Sequence, residues 1–212
     1  MEIPFENSIK INDKNYNLPN LEQLAWQKLV NGSVKKKNGF RNMCVGTNGP
    51  KNDTSLRIVV NRKVVEAQKT IYFHTDNRSR KVYDLKKNNH ITLLFYDPRQ
   101  RTQIVVKAIA TIDADPLYTT DRWRATSPKA RLSYMAIEPP NTHSDFPNIG
   151  YDEQFLENEP SELVSNLYQK NFSIIACQVY ELEFLYLDNS GNRKANFCYK
   201  NGILTSSTWV VP

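Results

Sequence analysis

Between residues 57 and 103 the chain spaces out groups that could hold a phosphorylated heterocycle. Arg57 and Arg62 bracket the apolar run Ile58, Val59 and Val60. His74 and Thr75 close the run "KTIYFHT", and "RSRK" follows at once, bringing Ser79, Arg80 and Lys81 together. An Arg offers a planar fork of donors and a Lys a point charge. A helix starting at those residues would add free backbone N–H groups, which attract anions. Gln103, inside "RTQIVVK", carries an amide that donates and accepts at once, as recognition of a heterocycle edge requires. Each group also has an ordinary reading. A strand-edge Arg is commonly a surface ion-pair partner, Ser-Arg-Lys before a helix a cap with solvated charges, and a mid-strand Gln a solvent-facing residue. Arg57 lies inside an otherwise apolar run, where a charge is seldom fully buried without a partner. Arg57 and Arg62 are five apart, so on an ideal strand they point to opposite faces.

The elements that must position these groups are mostly strands. "PNLEQLAWQKLVNGS" (19–33) has helical spacing, with Asn20 as the expected cap and Gly32 as the expected end. "FRNMCVGT", "SLRIVVN", "KTIYFHT", "HITLLFYD" and "RTQIVVKAIATID" are rich in β-branched and aromatic residues and read as strands. A short helix, "RSRKVYDLKKN", interrupts them. Helical period returns over 116–136 and 152–170, the latter broken at Pro160. "FSIIACQVYELEFLYLD" reads as one long strand, and a closing meander follows. Many short strands without a strand–helix–strand rhythm predict a mainly β (α+β) fold, an antiparallel split barrel with peripheral helices. We expect residues 1–212 to form a single domain, with helical insertions near 116–136 and 152–170.

Composition narrows the class further. The chain has 212 residues and a formal net charge of +6, which favours an anionic partner only weakly. No apolar stretch approaches the roughly 20 residues of a membrane span, and the first residues lack the pattern of a secretory signal. The expectation is a cytoplasmic protein without membrane or nucleic-acid partners. The three cysteines and three histidines are scattered, which argues against a disulfide framework or a metal site.

Taken in order, Arg57 and Arg62, His74 and Thr75, Ser79-Arg80-Lys81 and Gln103 resemble the motifs of the pyridoxamine 5'-phosphate oxidase-like FMN-binding split barrels. From Lys81 to Gln103 the match runs without a gap. The resemblance implies FMN as cofactor, bound by residues 57–60, 62, 74, 75, 79–81 and 103. In that pattern His74 and Thr75 lie near the ring or ribityl chain, and Arg80 and Lys81 at the phosphate. It also implies a homodimer with the cofactor between the barrels. The C-terminal "LEFLYLDNSGNRKANF", where Arg193 is a further substrate-side candidate, and the terminal "WVVP" resemble the family's last strands more loosely.

The departures fall on the substrate side. The family's Val-Arg-Val after the Gln is here Ile104-Val105-Val106, and its Trp near the flavin is here Leu185. Its substrate-phosphate clamp falls near Trp123, Ser127 and Arg131, four residues apart and so on one helix face. The resemblance thus implies an oxidoreductase acting on a small molecule. Its alternative is an FMN carrier or sensor without catalysis.

Overall fold

The computed structural model of the chain describes residues 7–51 and 53–212. A small hairpin, β1 (Ile9–Ile11) and β2 (Lys14–Tyr16), leads into α1 (Leu18–Val34). The helix is capped three residues earlier than its pattern suggests: Asn17 Oδ1 accepts from the Asn20 N–H at 3.0 Å. Gly32 does not end it. A Cβ at Gly32 would lie 2.3 Å from the Phe40 carbonyl oxygen, so glycine lets the helix touch the following turn backbone to backbone.

Strands then dominate, as β3 (Asn42–Asn48), β4 (Thr54–Val60), β5 (Lys63–Val65) and β6 (Thr70–Asp76). Helix α2 (Arg80–Lys87) separates these from β7 (His90–Asp97) and β8 (Thr102–Ile112). The chain closes with β9 (Phe172–Tyr186), β10 (Arg193–Lys200) and β11 (Ile203–Val210). All pairings are antiparallel, in the order β11-β10-β9-β8-β7-β3-β4. The sheet forks at β9. Its first half, to Gln178, pairs with β6, its second half, from Glu181, pairs with β10, and β8 runs along both. A bulge lets Lys107 face Glu181 while Ala108 faces Val179, and a bulge sharpens local twist at such a fork. The result is the antiparallel split barrel with peripheral helices that the sequence predicts.

Alternate strand residues fill the interior. Val45, Leu93, Ile104, Val106, Leu182 and Phe184 are buried in one core, and α1 plugs it with Leu21, Ala25, Trp26 and Leu29. The plug is latched by a Trp26 Nε1 donation to the Tyr199 hydroxyl and a Lys69–Glu22 ion pair.

Between β8 and β9 the chain forms α3 (Pro116–Arg124), α4 (Pro128–Arg131), α5 (Gln154–Glu157) and α6 (Glu162–Asn166). The helical run expected over 116–136 is broken before Pro128, whose ring cannot continue α3 and whose neighbour Ser127 caps α4. These helices cover a second apolar cluster of Trp123, Tyr134, Phe172 and Ile174.

Candidate functional site

Helix α2 begins where β6 ends, and the turn between them gathers a lysine and two hydroxyls. Lys81 Nζ donates to Thr75 Oγ1 at 3.0 Å and to Ser79 Oγ at 3.1 Å, and the two hydroxyl oxygens are 3.2 Å apart. Ser79 occupies the cap position, yet its side chain makes no cap hydrogen bond, which leaves the first turn of α2 open to another acceptor. Lys81 forms no ion pair among the described residues. Burial and then the nearby Arg57 charge lower its pKa, against a smaller opposing pull from Asp76. A half-buried ammonium held only by neutral hydroxyls, beside an uncapped helix start, is what a phosphate dianion would complete.

Arg57 and Arg80 flank this cradle and share one support. Arg57 Nη1 donates to Thr47 Oγ1 at 2.7 Å and to the carbonyls of Ser55 and Val45. Thr47 in turn donates to Asp84 Oδ2 at 2.9 Å, and Arg80 Nε donates to Asp84 Oδ1 at 3.1 Å. Arg80 also reaches Asp53 Oδ2 at 3.0 Å.

His74 and Thr75 are neighbours on a strand and so project to opposite faces. Only Thr75 joins the cradle. His74 packs edge-on against Phe172, with ring centroids 4.9 Å apart, at the border of the helical cluster. Its pKa is pushed down to about 3, first by burial and then by the positive charges of Arg62 and Arg122. The imidazole is therefore neutral at physiological pH. Among the described residues the Arg62 and Arg122 side chains have no ion-pair partner. Lys63 lies nearby, its ammonium 4.3 Å from the centre of the Tyr118 ring and 5.3 Å from that of Tyr72, and Arg122 is 5.5 Å from the Tyr118 ring. Sequence reasoning passed over Arg122 and Tyr118. Their only signal was their spacing, four apart on α3.

Gln103 is elsewhere. It pairs with Leu185 near the far end of β9, whereas Thr75 pairs with Ser173 at the near end. It faces outward from the sheet, in the row of Tyr96 and Leu185. Ile58 shares that outer face and is exposed, while Val59 packs against the core and Val60 is half-buried. Arg193, the first residue of β10, pairs with Tyr186 and is exposed, so it stands with Gln103 and not with Lys81.

The substrate clamp expected from Trp123, Ser127 and Arg131 takes another form. Trp123 is fully buried, and its Nε1 donates to Asn166 Oδ1 at 2.8 Å. Ser127 caps α4 by accepting from the Ala130 N–H. Arg131 is 2% exposed. Its guanidinium stacks over Trp123, and it donates to Ser165 Oγ, Asn166 Oδ1 and the carbonyls of Thr126 and Arg124. In the described chain these donors are committed to tying α6 onto α3 and α4, because a buried guanidinium must satisfy its N–H groups.

Solved structures of similar shape agree with the split barrel. The chain superposes on a pyridoxamine 5'-phosphate oxidase-related, FMN-binding protein from Nostoc punctiforme PCC 73102 with a TM-score of 0.71 and 18% identity, covering 90% of this chain and 96% of that one. It superposes on PhzG from Burkholderia lata 383 with a TM-score of 0.68 and 15% identity, covering 90% and 91%. A comparison with curated proteins finds no match. Residues 23–113, which contain every cradle residue, match the family described as pyridoxamine 5'-phosphate oxidase, FMN-binding domain. Over that stretch the chain is similar to an FMN-binding domain of the pyridoxamine 5'-phosphate oxidase kind, and FMN is the cofactor that the match supports. The open, lysine-centred cradle fits the phosphate of that group.

Proposed function

We propose that the chain is an FMN-dependent oxidoreductase acting on a small molecule, and that it works as a homodimer. The observation that carries the reading is the cradle of Lys81, Thr75 and Ser79, which has cations and donors but no anion of its own. Bound FMN would supply the redox chemistry, and the protein would bind, orient and tune it. In this reading Lys81, Thr75, Ser79 and the first N–H groups of α2 hold the phosphate. Arg57 and Arg80 add charge from the flank. Residues 58–60, Arg62 and the backbone at His74 line the path of the remainder, and Gln103 comes from a second copy.

The substrate would lie beside His74. Arg62, Arg122 and Lys63, set among Tyr72 and Tyr118, suit an anion with a flat apolar body, through charge and cation–π contact. PhzG, which shares the fold, is seen with tetrahydrophenazine-1-carboxylic acid, a molecule of that description. The second reading, an FMN carrier without turnover, draws support from the enclosure of Arg131. One experiment separates them. The purified protein should be yellow and release FMN on denaturation, and a screen of aromatic and phosphorylated donors should bleach the flavin under nitrogen. Release of FAD or no flavin refutes both readings. Bound FMN that no donor reduces leaves the carrier.

A further inference from the structure

We propose that Asp84 is a positioning residue for the cofactor phosphate, its carboxylate aiming Arg57 and Arg80 at the cradle. Asp84 is fully buried, on the inner side of α2 beside the buried Leu85. A carboxylate there is costly to desolvate, and an apolar residue would pack the position at lower cost. The charge is retained in a small, fully used network. Oδ1 takes Arg80 Nε and Oδ2 takes the Thr47 hydroxyl, and that hydroxyl accepts Arg57 Nη1. One carboxylate thereby fixes two guanidinium groups through one threonine.

The geometry divides the donors. Arg57 spends Nη1 on Thr47 and two carbonyls, and Arg80 spends Nε on Asp84 and Nη2 on Asp53. Among the described residues Nε and Nη2 of Arg57 and Nη1 of Arg80 make no hydrogen bond, and Lys81 has one of its three N–H groups to spare. These are the groups a phosphate would take. Without Asp84, Arg57 and Arg80 would keep their charge and lose their direction.

The inference rests on the reading that phosphate occupies the cradle, and charge alone predicts the opposite sign. Removing a negative charge beside an anion site should tighten FMN binding, whereas losing the aim of two arginines should weaken it. The test titrates flavin-stripped full-length protein with FMN and with riboflavin, which has no phosphate, and follows protein fluorescence and thermal unfolding. Asp84→Asn should weaken FMN tenfold or more and leave riboflavin within about twofold. Thr47→Val, which cuts the Arg57 arm alone, should give a smaller loss with the same split, and Thr47→Ser should restore wild-type affinity. If Asp84→Asn does not fold, the Thr47 pair decides by the same split. FMN binding that is unchanged or tighter in the variants overturns the proposal. So does an equal loss for both flavins, which would mark a purely structural role. If the wild type itself fails to prefer FMN over riboflavin, the phosphate reading falls first. If it keeps that preference and the variants keep it too, the positioning role alone falls.

Discussion

Thr75 and Gln103 pair with the same strand, Thr75 opposite Ser173 and Gln103 opposite Leu185. Those partners are twelve positions apart, or about 40 Å of strand path at the usual rise per residue. Gln103 also leaves the sheet on its outer face, while Thr75 turns toward α2. A single chain does not bring the two together. A second copy docked on the outer face can, and closed two-fold pairs are the commonest way for a chain to complete such a site.

The outer face is equipped for that docking. Leu56 and Ile58 on β4 are 68% and 66% exposed, and Leu94 and Tyr96 continue the apolar surface across β7. The protein should therefore run in light scattering at twice its 24.6 kDa chain mass. Ile58→Glu together with Leu94→Glu should give a folded monomer, because each would bury an unpaired charge in the dimer. That monomer should bind FMN at least tenfold more weakly. A wild-type monomer with flavin fully bound would end the idea.

Lys81 sits at the centre of the cradle, bonded to the two hydroxyls and to no carboxylate among the described residues. Lys81→Ala should weaken FMN by roughly 1.5–3 kcal/mol, the range for hydrogen bonds to charged groups. Riboflavin affinity should stay close to wild type, as read by fluorescence titration. An equal loss for both flavins would assign Lys81 to the fold and not to the phosphate.

How much of this was legible in the sequence depends on how local the cause is. Lys81, Ser79 and Thr75 fall within seven residues, so strand end, helix start and charge could be read together. The barrel was legible for a similar reason, since alternation on β7 and β8 marks a sheet with one face inward. Asp84 was not, because a lone Asp on a short helix reads as solvated until Thr47, 37 residues away, is seen to meet it. The contacts of Arg131 were hidden in the same way: its partners Ser165 and Asn166 lie beyond a long loop. The hairpin of β1 and β2 was missed because three-residue strands carry no usable period.

Arg131 gives a test of stability where the family pattern suggests one of binding. Arg131→Met keeps the bulk over Trp123 and removes every donor. The buried Ser165 hydroxyl and the part-buried carbonyls of Arg124 and Thr126 then lose a partner, while Asn166 Oδ1 keeps the Trp123 indole N–H. Unpaired buried groups cost about 1–3 kcal/mol each, partly relieved by relaxation, so urea unfolding should show a loss of about 2–4 kcal/mol. FMN affinity should be nearly unchanged. A stability change below about 1 kcal/mol together with a tenfold rise in KM would favour the clamp reading instead.

His74 makes stability depend on pH in a window that can be isolated. Its folded pKa is about 3, against 6.5 for the free side chain. Below pH 6.5 the unfolded chain takes up a proton that the folded chain refuses, because burial and the charges of Arg62 and Arg122 oppose it. The contribution is therefore complete above pH 6.5 and is lost as pH falls toward 3. The slope inside that window approaches 1.4 kcal/mol per pH unit for one proton. Carboxylates also titrate there, so the informative quantity is a difference between two proteins. His74→Phe keeps an aromatic ring against Phe172 and removes the titration. In denaturant melts at pH 7, 6, 5 and 4 the wild type should lose stability relative to His74→Phe as the medium becomes more acidic, with most of the change between pH 6 and 4. Parallel curves would mean that His74 protonates freely in the folded protein, and that the pocket beside Arg62 and Arg122 is open enough to water to accept the charge.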